Sequence, residues 1–75
     1  MNGKQESILA YLVAQEGRFV SPTEVGMKVG GYPYEKASSW ASSTLKRMAQ
    51  KNWVLRSTRG HYASTQKGLM ALRVT

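Results

Sequence analysis

Apolar residues along this chain recur at helical spacing, then in short extended runs, then at helical spacing again. Ile8, Leu9, Leu12 and Val13 form one stripe and predict a helix from about Lys4 to Gln15. Gly17 stands where a left-handed residue would end it. Phe19 and Val20 then read as a short extended piece. Ser21-Pro22-Thr23-Glu24 carries the clearest start signal: an N-cap serine, a proline at the first helical position and a glutamate three residues after the cap. That pattern predicts a capping box, in which the serine hydroxyl and the glutamate carboxylate each satisfy a free backbone N–H. The second helix is expected over Pro22 to Val29, with Val25 and Val29 on one face. Gly26 lies between them and is small enough to let another helix approach.

Gly30-Gly31-Tyr32-Pro33 breaks the pattern, and a third helix is expected from about Tyr34 to Lys51. Its apolar stripe is Ala37, Ala41, Leu45 and Met48, which starts with small residues and suits close contact with Gly26. Asn52 ends it, since asparagine tolerates the left-handed conformation. Trp53 to Arg56 and His61 to Ser64 read as two strands joined by Ser57-Thr58-Arg59-Gly60, and Thr65 as the N-cap of a short last helix. The predicted order is helix, short strand, helix, helix, two-stranded hairpin, helix. Leu9, Leu12, Val25, Ala41, Leu45, Met48, Trp53 and Leu69 are expected to be buried. Trp40 should seal the edge of the core, and Tyr62 should lie inside it.

Charge changes the picture. All four acidic residues lie in the first 35 positions: Glu6, Glu16, Glu24 and Glu35, each near a helix end where it can serve a cap or the dipole. With Lys4, Arg18 and Lys28 that stretch is close to neutral. From position 36 onward there is no acid, and Lys36, Lys46, Arg47, Lys51, Arg56, Arg59, Lys67 and Arg73 follow. The whole carries a net charge of +7 and a pI near 10.2. A basic chain of this size meets a polyanion, either nucleic acid or an anionic surface. The basic residues do not line one face of a single amphipathic helix, so a membrane surface is the weaker of the two.

Composition narrows the chemistry. Seventy-five residues, 41% of them hydrophobic, make one domain with a modest core, expected to span 1–75. No apolar run is long enough to span a bilayer, and the opening Met1 to Glu6 does not read as a signal peptide. There is no cysteine and no aspartate, and His61 is the only histidine, so neither a metal site nor a cofactor is expected. No glycine-rich phosphate loop is present. These features predict a protein that is not an enzyme, with a cytoplasmic location, at the nucleoid if the source is bacterial.

Two segments carry a family resemblance. Leu45-Lys46-Arg47-Met48-Ala49-Gln50-Lys51-Asn52-Trp53-Val54 resembles the junction of recognition helix and wing in winged helix-turn-helix regulators, with Asn52 in place of the usual glycine and Trp53 in place of the usual aliphatic residue. Thr65-Gln66-Lys67-Gly68 is similar to the opening of the helix after the wing in the MarR-like and PadR-like groups. The resemblance covers nearly the whole chain. It implies an α+β, mostly α, winged helix-turn-helix: a three-helix core, a short strand, a two-stranded wing and a short C-terminal helix. The turn around Gly30 to Pro33 is longer than usual for that superfamily, and no long dimerisation helix is evident.

What the resemblance implies is sequence-specific binding of double-stranded DNA, by a small transcriptional regulator or a phage or plasmid accessory factor. The third helix would enter the major groove, which admits one α-helix and displays distinguishable base edges. Tyr34, Lys36, Ser38, Ser39, Ser42, Ser43, Lys46 and Arg47 are its candidate contacts, with Lys46 the best candidate for a base edge and Arg47 for a phosphate. Short serines let the helix come close but discriminate bases poorly. Arg56, Thr58, Arg59, His61 and Lys67 would place the hairpin on the backbone or in the minor groove. A homodimer or a larger regulatory protein is a further possible partner. The alternative function is a winged helix used for protein contact. RNA binding has less support, since only Tyr32 and Tyr34 offer exposed rings for stacking.

Overall fold

Helical periodicity in the first two-thirds of the chain becomes three packed helices. A computed structural model describes residues 1–74. The elements are α1 (Gly3–Ala14), α2 (Pro22–Lys28), α3 (Tyr34–Gln50), β1 (Val54–Arg56), β2 (Tyr62–Ser64) and α4 (Gln66–Arg73). The described residues thus form a mostly helical α+β fold of four helices and one antiparallel hairpin. Val20 forms a single antiparallel bridge with Tyr62, so the predicted short extended piece lies against β2 as a third, one-residue strand. The order of elements read from the sequence is the order observed.

Local chemistry explains the boundaries. Asn2 caps α1: its side chain accepts from the Gln5 N–H at 2.8 Å while the Gln5 side chain accepts from the Asn2 N–H at 3.0 Å. This is a closed capping box. Glu16 and Gly17 both take positive φ and reverse the chain after α1. Ser21 caps α2 as expected, accepting from the Glu24 N–H at 3.1 Å. The other half of the predicted box does not form. The Glu24 carboxylate instead accepts the Tyr11 hydroxyl at 2.6 Å and the Arg18 guanidinium at 2.7 Å. A cation and a phenol offer stronger donors than one backbone amide, and the carboxylate turns toward them. It thereby ties α1, the following loop and α2 together.

Gly26 and Ala37 let α2 and α3 touch backbone to backbone. A Cβ at Gly26 would lie 2.5 Å from the Ala37 Cα and nearer still to the Ala37 carbonyl. Gly31, at φ +71°, then turns the chain into α3, and the N–H groups of Gly30 and Tyr32 both donate to the Gly26 carbonyl.

Ile8, Leu9, Leu12, Val20, Val25, Ala41, Leu45, Met48, Val54 and Tyr62 form one contiguous buried cluster. Trp53 and Leu69, expected in the core, are half-buried instead. Trp53 sits at the turn from α3 into β1, where the Lys51 ammonium lies 5.3 Å from its ring centroid. Leu69 is kept outward because its neighbour Gly68 takes the inner position: a Cβ there would fall 3.0 Å from the Trp53 carbonyl carbon. Trp40 does seal the edge of the core, half-buried under Tyr32 at 5.4 Å between ring centroids.

The hairpin and α4 are joined by one residue. Asn52 adopts φ +62°, as its position required. The Thr65 hydroxyl reaches back to the Asn52 and Trp53 carbonyls, at 2.6 and 3.0 Å, and accepts from the Gly68 N–H at 3.0 Å. The two segments that carried the family resemblance therefore meet in space. Among the described residues no helix is long and apolar enough to cross a membrane.

Candidate nucleic-acid interface

The face of α3 opposite its buried stripe follows from helix geometry. At 100° per residue, Ala37, Ala41, Leu45 and Met48 share one side and are fully buried. Glu35, Ser39, Ser43, Lys46 and Gln50 then fall along one line on the far side, and all are exposed. Lys36 and Arg47 lie on one flank of that line, also exposed. Ser38 and Ser42 lie on the other flank and are half-buried.

That placement sorts the predicted contacts. Tyr34 is 73% exposed at the first turn of α3. Lys36, Ser39, Ser43, Lys46 and Arg47 lie exposed on the open face or its flank. Ser38 and Ser42 do not belong with them. The Ser42 hydroxyl donates to the Ser38 carbonyl at 2.7 Å, one turn back, and is spent on its own helix. Gln50 is the residue that sequence reasoning missed on this face. Its spacing of four from Lys46 and seven from Ser43 was signal enough to find it.

The hairpin is short and tightly turned. Ser57 N–H donates to the His61 carbonyl at 2.8 Å, and the Ser57 side chain accepts from the His61 N–H at 3.1 Å. Gly60 takes φ +78°, and the Arg56 guanidinium packs over it. Arg56, Thr58 and Arg59 are exposed, His61 is half-buried in the turn, and Lys67 is exposed on the first turn of α4.

Electrostatics separate these cations from the rest. Among the described residues the only ion pair is Arg18 with Glu24, at 2.7 Å. The Arg18 hydrogen bond, and after it that of Tyr11, hold the Glu24 carboxyl below its ordinary pKa. The Tyr11 hydroxyl is pushed up, chiefly by its bond to Glu24. Lys4 is also committed: its ammonium donates to the Trp40 carbonyl at 2.7 Å and lies 4.4 Å from the centre of the Trp40 ring. The basic side chains from Lys36 onward have no carboxylate partner among the described residues. No group of three or more His, Asp or Glu side chains that could hold a metal gathers there either.

No protein family, curated protein or solved structure was found to match the chain.

Proposed function

We propose that the chain is a small winged helix-turn-helix protein that binds double-stranded DNA, with α3 in the major groove and the hairpin as a wing on the backbone or in the minor groove. The observation that carries this reading is the open face of α3. It presents Lys46 and Arg47 beside two short serines, with no carboxylate partner among the described residues, while Lys36 and Glu35 offset one another at its start. Cations without internal partners are free to displace counterions from phosphate, which supplies most of the affinity of a DNA-binding surface. Serines at the centre let a helix approach base edges closely, while lysine supplies donors for guanine. Arg56, Arg59 and Lys67 add exposed cations on the hairpin and α4. The role that fits is non-catalytic: control of transcription, or an accessory task in phage or plasmid DNA transactions.

A competition titration tests the reading, with duplex DNA, single-stranded DNA and RNA of matched length in parallel. Duplex DNA is expected to bind tightest. Preference for an unpaired strand would move the function to single-stranded nucleic acid. Failure to bind any of the three would favour the protein-contact alternative, for which Phe19, Met27, Leu55 and Met70 are among the exposed apolar residues.

A further inference from the structure

The exposed line of α3 is chemically lopsided. Its N-terminal end carries Glu35, a carboxylate with no ion-pair partner among the described residues. The one cation beside it in sequence, Lys36, only balances that charge. Lys4, which reaches α3 from α1, is held by the Trp40 carbonyl and ring. Nine residues without charge follow. The C-terminal end then presents Lys46, Arg47, Gln50 and Lys51 within six residues, all exposed, and runs through the Asn52 turn into the strand that bears Arg56. The helix dipole works the other way, but it amounts to about half a charge at each end. Three full cations at the C-terminal end outweigh it several-fold.

A straight helix from Glu35 to Gln50 is about 22 Å long. The major groove winds around the duplex axis, so such a helix meets base edges over only part of its length. Helix-turn-helix proteins ordinarily present the N-terminal residues of the recognition helix to the bases. Resting on the duplex-DNA reading above, we infer that this chain does the opposite: the C-terminal half of α3 reads the bases, and Gln50 is a specificity-determining residue beside Lys46. Their chemistry names the target. Lys46 donates to guanine O6 and N7, and the Gln50 amide pairs in two places with adenine N6 and N7. Residues four apart on one line of a helix are about 6 Å apart along its axis, close to two base steps of about 3.4 Å. The preferred site therefore holds a guanine and an adenine within about two steps of each other. Glu35 keeps the N-terminal half away from phosphate.

The test begins with a duplex site selected from random sequence by the wild-type protein. Affinities of Gln50→Ala and Glu35→Gln are then measured on that site and on single-base variants of it. Both residues are exposed and neither side chain makes a hydrogen bond among the described residues, so unchanged thermal unfolding is expected for both. Gln50→Ala should lose discrimination at one A·T pair by about fivefold to a hundredfold, the value of one bidentate contact. Glu35→Gln should leave every base preference unchanged. Amide resonances of 46–51 should shift more on duplex binding than those of 34–39. The reverse pattern, with Glu35→Gln relaxing a preference and Gln50→Ala silent, overturns this inference while leaving duplex binding intact. Absence of duplex binding by the wild type defeats the reading beneath it and this inference together.

Discussion

Gly26→Ala sets two effects against each other. Gly26 lies inside α2, where alanine is the better helix former by about 0.8–1.0 kcal/mol. On propensity alone the change would stabilise. The packing says otherwise. The new methyl would sit 2.5 Å from the Ala37 Cα and closer to its carbonyl, against about 3.4 Å for ordinary contact. The obstacle is helix backbone, which cannot swing aside as a side chain tip can. The two helices must part by about 1 Å, and separation on that scale loosens the dispersion contacts along their interface. Overpacking of this kind costs about 1–3 kcal/mol, at the upper end when backbone must move. The net expectation is a loss of about 2 kcal/mol. A chain of this length has about 4–11 kcal/mol in total, so the variant should still fold at room temperature. Its Tm should fall by about 8–16 °C, at about 4–8 °C per kcal/mol for a small domain. Circular dichroism melts of wild type and variant are the assay. Gly3→Ala is the control, because a Cβ there meets nothing within 4 Å. If Gly26→Ala melts at or above the wild type while Gly3→Ala is neutral or slightly stabilising, the backbone contact between α2 and α3 is wrong.

Other outcomes are expected on the same grounds. Thr65→Ala removes the cap on α4 and the hydroxyl that holds the Asn52 and Trp53 carbonyls; denaturant titration should show a loss of about 1–2 kcal/mol. Glu24 has its pKa lowered in the fold, so its contribution is full above the unfolded value of about 4.3 and disappears as pH falls through the lowered folded value. Melts across the acid range should therefore show wild type and Glu24→Gln separated at neutral pH and converging as the carboxylate is protonated. Lys46→Ala should leave the Tm unchanged yet cost about 1–3 kcal/mol on a selected site and relax its sequence preference. Arg59→Ala should instead weaken binding equally on selected and scrambled duplexes and reduce the salt slope by about 1. Paired titrations on the two duplexes separate these roles.

Where periodicity and caps spoke together, the chain could be read directly. The stripe Ala37, Ala41, Leu45, Met48 is fully buried, Gly26 meets α3 as its size suggested, and Asn52 takes the left-handed turn. Cap patterns were less faithful. Asn2 and Gln5 form a complete box that has the same spacing as Ser21 and Glu24, whereas Glu24 abandons its own box for partners 13 and 6 residues away. Local spacing cannot reveal such competition, because the donors arrive only when α1 folds against α2. The serines show the same limit. All four lie off the apolar stripe, but Ser38 and Ser42 fall on the flank that the neighbouring elements half cover. Gln50 shares a line with Lys46 and Ser43 by spacing alone, but it carries no charge to set it apart in the sequence.

In the proposed function, the exposed cations of α3, the hairpin and α4 engage duplex phosphate. The most direct test is the affinity of the wild-type chain for a duplex across a range of salt. Lys46, Arg47, Lys51, Arg56, Arg59 and Lys67 are exposed without carboxylate partners among the described residues. If about four to six of them bind phosphates, log K should fall against log salt with a slope of roughly −4 to −5, near −0.9 for each phosphate neutralised. A slope near zero, or no binding at low salt, would contradict the account and leave the basic half of the molecule with another purpose.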